Sequence, residues 1–197
     1  VVLLDRHGRV LRPCILWNDG RSERQCSTFE AAWPDSRRIP GNLAMPGFTA
    51  PKLIWIRENE PGRFERIDKV LLPKAYVRWR LCGEAVEEMS DASGTLWLDV
   101  AQRRWSPEAL AACGLDRAQM PRLVEGSAIA GQLLEPLARR WGMARPPLVA
   151  GGAGDNAAGS VAVGAVNPGD AFVSLGTSGV VWVTTGLFMP RPESAVH

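Results

Sequence analysis

The sequence predicts a mixed α/β protein, and three observations carry the prediction. Residues 148–166 (LVAGGAGDNAAGSVAVGAV) run from an apolar strand through glycines into an Ala/Val/Gly pattern fit for a close-packed helix. Residues 171–183 (AFVSLGTSGVVWV) set a glycine- and hydroxyl-rich turn between two β-branched runs, the pattern of a hairpin. Other segments open at a proline and close at a glycine, the asymmetry of helix ends.

Composition narrows the class. The chain has 197 residues, 46% of them apolar, which is enough material for a real core. A formal charge of +2 is too small to argue for nucleic acid or a membrane surface as partner. No apolar run approaches the roughly 20 residues that span a bilayer, and no signal-peptide pattern is present. Cys14, Cys26, Cys82 and Cys113 are widely spaced and the chain has only two histidines. A zinc site or disulfide scaffold is therefore not expected, and a reducing, cytoplasmic location is. Val1 starts in mid-strand and the Pro-rich stretch before His197 reads as a connection, so the chain is expected to be a piece of a longer one.

In chain order, Val1–Leu4 and Val10–Trp17 read as strands around a turn at His7–Gly8, with His7 a solvated turn residue. The second strand leads into Trp17, Asn18, Asp19, Gly20 and Arg21. These are polar residues at a strand end, where ligand sites are often built, yet they also fit a plain turn opening a helix over Arg21–Trp33. Residues 34–46 read as loop. Thr49-Ala50-Pro51 opens a helix with Leu53, Ile54 and Ile56 on its apolar side. Gly62–Ile67 reads as a helical turn, Lys69–Leu72 as a strand, and Pro73 as the start of a helix that Gly83 stops. In Glu88–Val100, Asp91 reads as a helix cap in preference to a ligand contact. Ser106-Pro107-Glu108 starts a helix that Gly114 ends, and Leu133, Leu137 and Trp141 form a helical stripe assigned to the core. Asn167-Pro168-Gly169-Asp170 is a turn that divides the chain into residues 1–168 and 169–197.

Three chemistries compete for the glycine-rich segments. A Walker loop fails, because no lysine follows any glycine run. Gly152-Ala153-Gly154-Asp155-Asn156-Ala157 formally matches a dinucleotide fingerprint, with Asp170 at about the expected spacing. That match puts the Asp155 carboxylate inside the turn meant to approach a pyrophosphate, which it would repel. The third reading gives the segments different tasks. Asp155 at a helix head stays ionised and accepts a proton from a hydroxyl, while residues 174–179 offer successive N–H groups and two hydroxyls to phosphate oxygens. Base plus phosphate cradle describes phosphoryl transfer to an alcohol. The residues alone leave open a plainer reading, in which Asp155 caps a helix and the LGTSG turn only joins two strands.

Residues 47–59 (GFTAPKLIWIREN) resemble the first signature of the FGGY carbohydrate kinases, lysine and tryptophan included. WNDGR at 17–21, EMSDASGTLWLDV at 88–100, GGAGDNAAG at 151–159 and SLGTSG at 174–179 extend the resemblance across nearly the whole chain. They are most similar to the family's bacterial xylulose-phosphorylating members. The resemblance implies two actin-like, RNase H-like ATPase domains around a cleft. Most of the first, sugar-side domain would be present, with the opening hairpin of the second, nucleotide-side domain. It implies transfer of the γ-phosphate of ATP, with Mg2+, to D-xylulose, by Asp155 as base on the 5-hydroxyl and Asn156 as sugar contact. Trp17, Asn18 and Asp19 would lie near the sugar pocket, and Gly176, Thr177 and Ser178 would form the second domain's phosphate loop. Lys52 and Trp55 would serve packing, and no residue is assigned to a metal. The family's Asp-Gly-Thr loop, Met-His-Gly segment and adenosine site find no match, so this chain alone is expected to be inactive. Ribulose, glycerol or gluconate kinases of the same family remain alternatives, as do a non-catalytic sugar sensor and a bare actin-like ATPase. A homodimer is left open.

Overall fold

The computed structural model describes residues 1–176 and 179–194. Its architecture is α/β, with short strands in five two-stranded pairs and helices packed between and around them. β1 (Val2–Leu4) is wholly buried. α1 (Glu23–Ala32), α2 (Thr49–Asn59) and α3 (Pro61–Phe64) follow, and then β2 (Lys69–Leu71) pairs antiparallel with β1. α4 (Pro73–Cys82) begins at a proline, whose missing N–H costs nothing there, and ends at Gly83 in the left-handed region with φ 78°.

β3 (Val86–Glu88) leads directly into α5 (Met89–Ser93). β4 (Leu98–Asp99) pairs with β5 (Arg104–Trp105), and α6 (Pro107–Ala112) starts at Ser106, whose hydroxyl accepts the Ala109 N–H at 3.2 Å. β6 (Arg122–Val124) runs parallel to β3. β7 (Ile129–Gln132), α7 (Glu135–Arg140) and β8 (Leu148–Ala150) form the next unit, in which β7 and β8 pair antiparallel. α8 (Asp155–Ala162) precedes the hairpin of β9 (Ala171–Leu175) and β10 (Gly179–Val183).

The core is built around α2. Thr49 to Ile54 and Ile56 are all buried, so this helix is enclosed on more than the one apolar side its sequence marks. Leu3, Phe29, Trp97 and Leu110 close over it. Two buried tryptophans find acceptors, Trp97 Nε1 at 3.3 Å from Cys113 Sγ and Trp105 Nε1 at 2.8 Å from the Pro121 carbonyl. Burial pushes the Cys113 thiol up to about 12, and all four cysteines are free.

Three expectations need correction. The Val10–Trp17 strand is reduced to a single antiparallel bridge between Leu4 and Val10. Pro13 has no N–H to continue a ladder, and Arg12 turns aside to the Pro13 carbonyl and, at 2.9 Å, to Glu60. Asp91 does not cap α5. Glu88 does, accepting the N–H groups of Ser90 and Asp91 at 2.8 Å each. The helical stripe splits as well: Leu133 is buried, but α7 stops at Arg140 and Trp141 stands 52% exposed beyond it.

Candidate active site

The turn from β8 to α8 is shaped by backbone crowding. Gly151 N–H donates to the Ala128 carbonyl at 3.0 Å and Gly152 N–H to the Gly126 carbonyl at 2.9 Å. A Cβ on Gly151 would lie 2.5 Å from the Glu125 carbonyl oxygen, and one on Gly126 the same distance from that of Gly152. Only glycine fits at either position, because two backbones touch there. Gly154 takes the cap position of α8, so Asp155 is the first helical residue and not its cap. Asp155 is exposed and one oxygen, Oδ1, accepts the Asn156 N–H at 2.8 Å. Asn156 is exposed beside it.

A polar network from α4, β3 and α5 lies against this turn. Arg78, buried, donates to the carbonyls of Gly151 and Val86. Ser90 Oγ accepts the Gly154 N–H at 2.8 Å and donates to Glu88. Lys74 Nζ sits 2.6 Å from Glu88, 2.9 Å from Asp91 and 3.7 Å from Glu87. Burial works to raise the Glu88 carboxyl, but Lys74 and the Asp91 and Ser90 groups outweigh it and hold it below its usual value. Burial likewise opposes the Lys74 charge, and its Glu88 and Asp91 partners leave it raised. Glu87 is different: burial, aided by Asp91, pushes its carboxyl up to about 7. Oxygens of Glu87, Glu88 and Asp91 lie within 4.8 Å of one another, as a cation site would require. Lys74 already supplies the positive charge there, so the cluster does not fit magnesium.

Local sequence pattern does not single out Lys74, Arg78, Glu87, Glu88 or Ser90. Lys74 and Arg78 stand four apart on a helix, hence on one face, and three acids follow within residues 87–91. That pairing was the available signal.

Trp17, Asn18 and Asp19 form a second cluster. Trp17 is 78% exposed and Asn18 is exposed. Asp19 is bonded to Arg21 at 2.7 Å, which with the Arg21 N–H holds its carboxyl down at about 2. Arg21 in turn stands 5.0 Å over the Trp55 ring. A Cβ on Gly47 would come within 3.0 Å of the Trp17 carbonyl, and buried Lys52 donates to the Gly47 carbonyl at 2.5 Å. Lys52 and Trp55 thus support the segment structurally. Among the described residues, no hydrogen bond or ion pair joins residues 17–19 to Asp155 or Asn156, so the structure does not link the two clusters directly. Gly176 is exposed at the end of β9; Thr177 and Ser178 lie outside the described residues.

The whole chain superposes on 40% of the crystal structure of a xylulose kinase from Brucella ovis, at 57% identity and a TM-score of 0.96. That places the fold in the actin-like, RNase H-like α/β class. The profile of the N-terminal domain of the FGGY family of carbohydrate kinases matches residues 1–162. The chain belongs to that family. It is 60% identical over 195 residues to the xylulose kinase of Escherichia coli K12 and 55% identical to that of Klebsiella pneumoniae. Each match covers 99% of this chain, and the chain spans 40% of the length of each of these relatives. No helix among the described residues is long and apolar enough to cross a membrane.

Proposed function

We propose that this chain forms the sugar-side part of a kinase that phosphorylates D-xylulose at its 5-hydroxyl, with Asp155 as general base. The observation that carries the reading is the carboxylate itself, exposed at the head of α8 and delivered by a turn that tolerates only glycine at Gly151. A cap residue would need no such delivery. The identity of 60% to a xylulose kinase supports the choice of sugar. Asn156 contacts the sugar, and Trp17 and Asn18 are free to line its pocket, whereas Asp19 acts through Arg21 by shaping that segment. ATP supplies the phosphoryl group when bound, as magnesium complex. Gly176, Thr177 and Ser178 would hold its phosphates through backbone N–H groups and hydroxyls.

The boundary at Pro168 belongs to the same proposal, with residues 1–168 on the sugar side and 169–197 opening the nucleotide side. Its support is local: the β9–β10 hairpin follows a turn in which Gly169 takes a positive φ of 97°.

The test is ADP release by the full-length gene product with Mg-ATP and D-xylulose, L-ribulose, glycerol, gluconate or no sugar. Turnover that peaks with D-xylulose is expected. A peak with another sugar overturns the substrate, and equal turnover without any sugar overturns the kinase.

A further inference from the structure

The turn that carries Asp155 is held at both ends by side chains from elsewhere in the chain. At its start, the Arg78 guanidinium bridges the carbonyls of Gly151 and Val86. At its end, Ser90 Oγ accepts the Gly154 N–H at 2.8 Å, one residue before Asp155. Ser90 is fixed in turn, since its hydroxyl lies 2.8 Å and 2.9 Å from the two oxygens of Glu88. Lys74 anchors Glu88 at 2.6 Å, and Glu88 caps the helix on which Ser90 stands. Between the two ends, Gly151 and Gly152 are pinned to the 125–128 backbone.

We infer that Ser90 and Arg78 are positioning residues for phosphoryl transfer: together they set the place and direction in which α8 presents Asp155. Neither reaches the reacting atoms. They act by fixing Gly151 and Gly154, the residues bounding the side-chain-poor stretch between β8 and α8. A helix head displaced by about 1 Å is enough to cost a large factor in rate. This inference rests on the reading of Asp155 as the base.

The experiment uses the full-length protein with Ser90→Ala, Ser90→Thr, Arg78→Lys and Asp155→Asn. It reads kcat, KM for D-xylulose, and amide hydrogen exchange of residues 151–157 beside residues 49–59. Ser90→Ala lowers kcat about 10- to 100-fold with KM nearly unchanged, the mark of lost alignment in place of lost binding. Its exchange rises about tenfold or more in 151–157 and stays constant in 49–59. Ser90→Thr, which keeps the hydroxyl, restores both. Arg78→Lys, which keeps the charge but cannot bridge both carbonyls, repeats the split from the other end and stands in if Ser90→Ala does not fold.

A folded Ser90→Ala protein with wild-type kcat overturns the inference. So does a loss of kcat without faster exchange in 151–157, or faster exchange in both segments alike. Wild-type turnover by Asp155→Asn sinks the base reading instead. The exchange data then decide the clamp alone: unchanged rates in 151–157 overturn it, and raised rates sustain it.

Discussion

The segment around α2 and the segment from β8 to β10 are both rich in apolar residues, yet they end in opposite conditions. Leu53, Ile54 and Ile56 are fully buried, whereas Val161, Val163, Val173 and Val181 are between 61% and 75% exposed. The first is packed against β1, α1, the Trp97 turn and α6, which enclose all of it but Trp55 and the polar last turn. The second is a lone hairpin and a helix, which can cover each other on one side at most. An apolar run specifies the face that will be buried if something arrives to bury it, and nothing in the run says whether that happens.

A pair of truncations in the 197-residue chain should separate the two regions most widely. Ile54→Ala should cost about 2–5 kcal/mol in chemical denaturation, because the cavity it leaves is walled on all sides. Val181→Ala should cost less than about 0.5 kcal/mol, since its side chain already meets water. Equal losses would mean that the two regions are packed alike.

The same contrast explains what could be read from sequence. α2, α4 and α6 were legible because proline and serine starts and glycine stops are local signals, as at Pro73, Gly83 and Ser106. The turn before Asp155 was legible for the same reason. The failures were all tertiary. The Val10–Trp17 run looks like a strand but loses its partner beyond Leu11, and Trp141 keeps the helical spacing after the helix has ended. Leu96 is buried with φ 68°, a conformation that no residue in SGTLW announces except Gly94, which does not use it. The network of Lys74, Arg78, Glu87, Glu88 and Ser90 joins three elements, and local pattern could at most have paired its cations. Asp155 stands at the head of α8, where the strand–glycine–helix pattern puts it. Asp19 pairs with Arg21, a contact two residues apart that the WNDGR segment does not announce.

A smaller effect comes from Glu87, the one carboxylate of that network whose burial dominates. Its carboxyl is raised from 4.5 to about 7, so between these values the folded state holds a proton that the unfolded state has released. Stability from this group is therefore greatest at or below pH 4.5 and falls as pH rises to about 7. Melting temperature measured against pH for the wild type and Glu87→Gln should show the wild type losing ground to the variant across that window. Parallel curves would show that Glu87 is ionised throughout.

The role of Asp155 as base on the sugar hydroxyl is tested by Asp155→Asn in the full-length protein. Asparagine keeps the size and the helix-head position but cannot take the proton. In this variant kcat with Mg-ATP and D-xylulose should fall by about 100- to 10,000-fold while D-xylulose still binds in calorimetry. Binding retained and turnover within about tenfold of the wild type would contradict it.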